Sequence, residues 1–266
     1  MQSKIFERAE GKIAFDDYGG DGDVVLMLPG MGALRSEYRL LAPQVSEAGF
    51  RAVAADLRGH GGSSENWPTY DIPSVGRDIL AHIEHLGVES AHVIGTSFSP
   101  GAMIWAAAEK PDAIRSLTLI GAFVRATPLT LLQRLLLPVM MNGPWKVAAW
   151  IAYYRSMYPM QKPADFDAYL RDLSNNLKQP GRFAAAKGLA NASKEPSEQN
   201  LGKVQKPTLV IMGTKDPDFP DPSAEARFIA EKTGGQLALI EGAGHYPQME
   251  MPDQTNPIIL NFLKQQ

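Results

Sequence analysis

Short apolar runs alternate along this chain with longer amphipathic stretches. The runs at 24–28, 52–55, 91–94, 116–120, 208–212 and 237–240 are mainly β-branched or aliphatic, and each is followed closely by Gly, Asp or Glu. Runs that are nearly continuous, without polar alternation, predict strands buried on both faces. Between them the pattern predicts helices at 34–47, 72–86, 101–109 and 223–232, with a last one over 252–263 that becomes regular after Pro257. Ile72, Val75, Ile79, Ile83 and Leu86 recur at three- and four-residue spacing, so one face of that helix is apolar. The first twenty residues, with Ile5-Phe6 and Ile13-Ala14-Phe15, predict an antiparallel hairpin. Strands alternating with helices predict an α/β fold, a mostly parallel central sheet with helices on both faces.

The alternation stops between residues 122 and 203. Helical patterns at 128–141, 144–158, 164–177 and 181–192 fill this stretch without a strand, and strand rhythm resumes at Pro207-Thr208-Leu209-Val210. The expected organisation is a core formed by 1–121 and 204–266, interrupted by a helical cap over 122–203. The insertion is rich in Met and aromatic residues. Most of these pack the cap onto the core, while some, with Trp145, Trp150 and Tyr154 as the candidates, line an apolar pocket.

Composition narrows the function classes. With 44% hydrophobic and 21% charged residues over 266, the chain reads as globular and long enough for a large core. A net charge of −3 and the lack of a basic run exclude the electrostatic footprint of a nucleic-acid or anionic-membrane partner. No segment reads as a membrane span: the most apolar one, 131–141, contains Arg134 and Pro138 and is too short. Zero cysteines exclude disulfides, thiolate metal sites and a cysteine nucleophile. An acidic, signal-free N-terminus then makes a cytoplasmic protein the expectation. Metal-ligand spacings, phosphate loops and dinucleotide fingerprints are all missing, so no cofactor is expected.

Three residues at three strand ends carry the chemistry. Ala91-His92-Val93-Ile94-Gly95-Thr96-Ser97-Phe98-Ser99-Pro100-Gly101 is a strand running through a glycine-flanked serine into a helix. A hydroxyl on such a turn is pushed out of the sheet edge, and small neighbours are needed to avoid collision. The segment resembles the Gly-x-Ser-x-Gly nucleophile elbow of the α/β-hydrolase superfamily, with Ser99 in place of the second glycine; Ser97 is favoured over Ser99 because Gly95 precedes it by two. The run Leu209-Val210-Ile211-Met212-Gly213-Thr214-Lys215-Asp216-Pro217-Asp218 resembles the superfamily's acid position, which selects Asp216 with Asp218 as competitor. Of the five histidines, only His245 follows a strand through a glycine-bracketed loop, Glu241-Gly242-Ala243-Gly244-His245. His82 and His85 are expected on a solvated helix face, and His60 lies in a loop that resembles a structural brace of the pocket floor.

The chain order Ser, Asp, His is that of the superfamily. Leu28-Pro29-Gly30-Met31-Gly32 resembles its oxyanion-hole loop, with Pro29 where a histidine is common, and this implies the backbone N–H groups of Met31 and Phe98 as donors. The resemblance implies an α/β-hydrolase fold with an inserted cap and a serine hydrolase that works through an acyl-enzyme. A serine at the elbow sets the chain apart from relatives with aspartate there, the haloalkane dehalogenases and epoxide hydrolases. The expected substrate is a small or medium apolar carboxylic ester. Lactones, amides, carbon–carbon bonds, peracid formation and a ligand-binding signalling role are the alternatives.

Overall fold

The computed structural model describes residues 2–126, 138–139 and 141–266. Strands β1 (Gln2–Arg8) and β2 (Gly11–Gly19) form the N-terminal hairpin, followed by β3 (Val24–Leu28), β4 (Arg51–Ala55), β5 (Ala91–Thr96), β6 (Ile114–Ile120), β7 (Thr208–Gly213) and β8 (Gln236–Ile240). They join in one eight-stranded sheet of order β1-β2-β4-β3-β5-β6-β7-β8. The β1–β2 and β2–β4 pairs are antiparallel, and every pair from β4 to β8 is parallel. The expected strand positions hold to within two residues.

The helices are α1 (Ala42–Glu47), α2 (Ile72–His85), α3 (Ser99–Glu109), α4 (Lys146–Ser156), α5 (Phe166–Leu177), α6 (Arg182–Ala190), α7 (Glu195–Leu201), α8 (Pro222–Thr233), α9 (Pro247–Glu250) and α10 (Pro252–Lys264). Successive strand residues feed opposite faces. Leu26, Leu28 and Val93 pack with Val75, Ile79, Met103 and Ile229 from α2, α3 and α8. Val25, Met27 and Ile94 pack with Val45, Ile259 and Phe262 from α1 and α10. A third apolar cluster joins α4, α5 and α6 to Ala33 and Tyr246 on the strand-end loops and to Met249 on α9.

Several expectations change. The predicted helix 34–47 is a 3₁₀ turn at Arg35–Tyr38 followed by α1, which starts beside Pro43 because proline suits a first helical turn. Helix α10 runs straight through Pro257, which costs it one backbone bond near its start. His82 is buried against Phe6 and Phe15 rather than solvated, while His85 stacks on Phe6 from outside. Strand β8 is the sheet's edge, so Leu237 is exposed despite the apolar run. Helix α7, short and polar, has no counterpart in the sequence pattern and packs beside α3 on the sheet. The helix expected at 128–141, with Leu131, Leu132, Leu135, Leu136 and Met140, falls outside the described residues except for Pro138, Val139 and Met141. Among the described residues no helix is long and apolar enough to cross a membrane.

Candidate active site

The turn from β5 into α3 carries Ser97. Its φ of 61° is the only positive value on a non-glycine among the described residues. A bulky, Cβ-bearing residue in that region is strained and persists only where the surroundings enforce it. Two backbone bonds do so: Ser97 N–H donates to Ile120 O at 2.9 Å, and Phe123 N–H donates to Ser97 O at 3.0 Å. Gly95 allows the turn to close, since a Cβ there would collide with the Met103 sulfur. Ser99 is fully buried and its hydroxyl donates to Pro29 O at 2.6 Å, so the residue that replaces the second glycine ties the turn to the loop after β3.

Past β7, Asp216 Oδ2 lies 2.7 Å from His245 Nδ1, and its Oδ1 accepts Asp218 N–H at 3.0 Å. A carboxylate at Nδ1 fixes the proton there, leaving Nε2 as the free, basic nitrogen. Nε2 is buried and has no partner among the described residues. The His245 loop is held from two sides, His245 N–H donating to Met157 O at 3.0 Å and Gly244 N–H to Glu250 Oε2 at 2.5 Å. The segment that grips Ser97, Ile120 to Phe123, also touches the imidazole: a Cβ on Gly121 would stand 3.0 Å from Nδ1 and Cε1. Ser97 and the Asp216–His245 pair therefore share one edge of the sheet. Burial alone would depress the imidazole, but Asp216, by charge and hydrogen bond, with Asp218 and Glu37 behind it, outweighs that and brings His245 up to about 9.

The loop between β3 and the 3₁₀ turn has most of its backbone groups occupied. Tyr38 OH donates to Leu28 O at 2.9 Å, and Ser99 takes Pro29 O. Gly30 N–H donates to Glu37 Oε2 at 3.2 Å, and Gly30 O accepts Ala33 N–H. Gly32 N–H donates to His60 Nε2 at 2.9 Å, while Gly32 O accepts the Trp150 indole N–H at 3.0 Å. Burial keeps His60 neutral, pushed down to about 4, and its Nδ1 faces Arg58 O at 2.8 Å. Gly32, at φ 65°, meets the Trp150 ring so closely that no side chain fits. Among the described residues, the N–H groups of Met31 and Phe98 have no protein acceptor.

Trp150 and Tyr154 are buried, the first on this loop and the second stacked on Tyr246 at 4.8 Å. Trp145 lies at the surface, 52% exposed, with its indole N–H on Val139 O. Sequence reasoning did not single out Glu37 or Gln248. Both are fully buried, and Gln248 Nε2 bridges Glu37 Oε1 at 3.0 Å and Thr96 Oγ1 at 3.2 Å. Nothing in the local pattern distinguishes an inward carboxylate on a 3₁₀ turn from a solvated one. Donor atoms of Asp216, Asp218 and His245 lie within 4.8 Å of one another, and they are already engaged with each other and with Tyr153.

Residues 23–252 match the family described as alpha/beta hydrolase fold. The chain is 27% identical over 260 residues to the dihydrolipoyllysine-residue acetyltransferase component of the acetoin cleaving system of Pseudomonas putida, covering 93% of this chain and 65% of that protein, so it spans about two thirds of that relative. It is 27% identical over 246 residues to the pimeloyl-[acyl-carrier protein] methyl ester esterase of Neisseria meningitidis, covering 90% and 93% of the two chains. A bromoperoxidase from Bacillus anthracis superposes with a TM-score of 0.84 at 19% identity, covering 99% of this chain and all of that one. This chain belongs to the α/β-hydrolase fold family.

Proposed function

We propose that the protein is a serine hydrolase in which Ser97, His245 and Asp216 form the catalytic triad. The single observation that carries this reading is the buried imidazole, hydrogen-bonded at 2.7 Å to Asp216 through Nδ1 and left unpartnered at Nε2, on the sheet edge that also holds the strained Ser97. Ser97 Oγ would attack a carbonyl carbon while His245 Nε2 takes its proton, with Asp216 stabilising the imidazolium. The same nitrogen then returns the proton to the leaving group, and a water activated by His245 releases the acid. The N–H groups of Met31 and Phe98 would receive the oxyanion, a reading supported by the occupation of the neighbouring backbone groups.

The substrate class proposed is a small or medium apolar carboxylic ester, in keeping with the aromatic and methionine side chains over the site and with the esterase among the relatives. Helices α4, α5 and α6 would be the cap, with α7 grouped with the core because it packs beside α3. The test is hydrolysis of p-nitrophenyl esters from acetate to decanoate by the parent, Ser97→Ala and His245→Ala. Turnover in the parent, lost in both folded variants, is the expected result, and the best chain length sizes the pocket. Activity surviving Ser97→Ala would overturn the nucleophile assignment. Labelling of Ser97 by a fluorophosphonate without ester turnover would favour another acyl substrate or a signalling role.

A further inference from the structure

The imidazole of His245 faces two carboxylates. Asp216 Oδ2 takes the Nδ1 proton at 2.7 Å, and Asp218 Oδ2 stands 3.7 Å from the same nitrogen. The second distance is too long for a hydrogen bond, but a carboxylate there still favours the charged ring strongly in a buried setting. Asp218 is itself held from outside its loop: Tyr153 OH, on α4, donates to Asp218 Oδ1 at 2.5 Å. Three residues earlier on the same helix, Trp150 reaches Gly32 O, and just past its end Met157 O takes His245 N–H. This helix and the residue just past it therefore bond to three of the loops that surround the site, those after β3, β7 and β8.

We infer that Asp218 is a second, helix-anchored acid, a positioning residue whose charge, fixed by Tyr153, joins that of Asp216 on the His245 imidazole, so that the seating of α4 sets the pH range in which His245 acts as a base. This rests on the triad reading above. The groups that face His245 are Asp216 and Asp218 from the loop after β7, Glu37 from the 3₁₀ turn and Tyr246 from its own loop. Those that face Asp218 are His245, Asp216 and Tyr153. Burial and Asp216 raise the Asp218 carboxyl, while His245 and the Tyr153 hydroxyl hold it down. Removing the hydroxyl therefore makes Asp218 easier to protonate, and a neutral Asp218 no longer supports the imidazolium. Both Asp218→Asn and Tyr153→Phe should move His245 in the same direction, the first further than the second.

Two measurements decide it. In the pH dependence of kcat/KM on an ester whose turnover needs Ser97, Asp218→Asn should shift the acid limb down by about one pH unit, and Tyr153→Phe should shift it by less. Tyr153→Phe keeps the ring beside Trp150, at 5.4 Å, so it serves as the variant least exposed to folding defects. The His245 ring titration, followed by NMR in parent and Asp218→Asn, should show the same downward shift with no substrate present. A limb and a titration that stay in place in both variants would overturn the role of Asp218 while leaving the triad intact. Loss of the triad reading would show separately, as turnover that survives Ser97→Ala, and the ring titration would still judge Asp218.

Discussion

Ser97 sits where glycine would be more comfortable, at φ 61°, with its neighbours Gly95 and Ser99 packed tightly around it. Replacing it by alanine keeps the strain, whereas glycine relieves it. Ser97→Gly should therefore be more stable than Ser97→Ala by about 1 kcal/mol, both inactive, with urea midpoints as the measurement. Glu37 gives a second case, with opposite consequences at the two ends of the pH scale. Its burial, only partly offset by Thr96, Gly30 and the charges of His245 and Arg39, raises the carboxyl from 4.5 to about 7. The folded state thus holds this proton more tightly than the unfolded chain; the resulting stability is complete below about pH 4.5 and is lost as pH rises through 7. Glu37→Gln cannot ionise, so its stability relative to the parent should grow across that window by up to roughly 3 kcal/mol. Equal differences at pH 4.5 and pH 8 would refute this. At this scale the sequence marked Ser97, Asp216 and His245 because each lies shortly after a strand's carboxyl end. It could not mark Ser99 as a tether or Glu37 as a buried acid, since the partners that define them, Pro29 and Gln248, are distant in the chain.

Among the elements, α4 stands apart because its bonds reach the loops after β3 and β7, at Gly32 and Asp218. Trp150→Phe would remove the donor to Gly32 O and leave a buried carbonyl unpartnered, which costs about 1–3 kcal/mol of stability. Because that carbonyl belongs to the loop bearing Met31, the loss should also appear as a fall of about tenfold in kcat, with KM changed less. A pure KM effect would mean that Trp150 only lines the pocket. Strands were legible in the sequence because burial on both faces makes each one a compact apolar run, and β8, an edge, was the exception. Helices were legible where one face is apolar over several turns, as in α2. The region around residues 34–47 was not, since apolar content alone does not separate a 3₁₀ turn followed by a short helix starting beside Pro43 from a single helix. Nor was α7, seven residues of which only Pro196 and Leu201 are apolar, and which packs beside α3.

Across the whole molecule, two elements far apart in the chain, the loop after β7 and the 3₁₀ turn, deliver negative charge from Asp216, Asp218 and Glu37 to one imidazole. With His245 raised to about 9, the proposed base is protonated at neutral pH, so kcat/KM should climb with pH and level off only above about 9. The same raised value means that the protonated ring stabilises the fold below 6.5 and that this stability is lost as pH rises through 9. Rate and stability should therefore run in opposite directions between those limits, which paired kinetic and denaturation series would detect. The alternation of strands and helices foretold the sheet and put Ser97, Asp216 and His245 just past strand ends; the charge converging on His245 depends on packing that no local pattern encodes. The pinned loop after β3 has a further consequence, for how such a protein can change over generations. Its backbone is held by Tyr38, Ser99, Glu37, His60 and Trp150, and Met31 contributes only a partly buried side chain. Position 31 is thus free to vary without disturbing the loop's shape. A library randomised there should yield folded, active variants that differ chiefly in which acyl chain they prefer, which would make this residue a point of easy divergence between substrates.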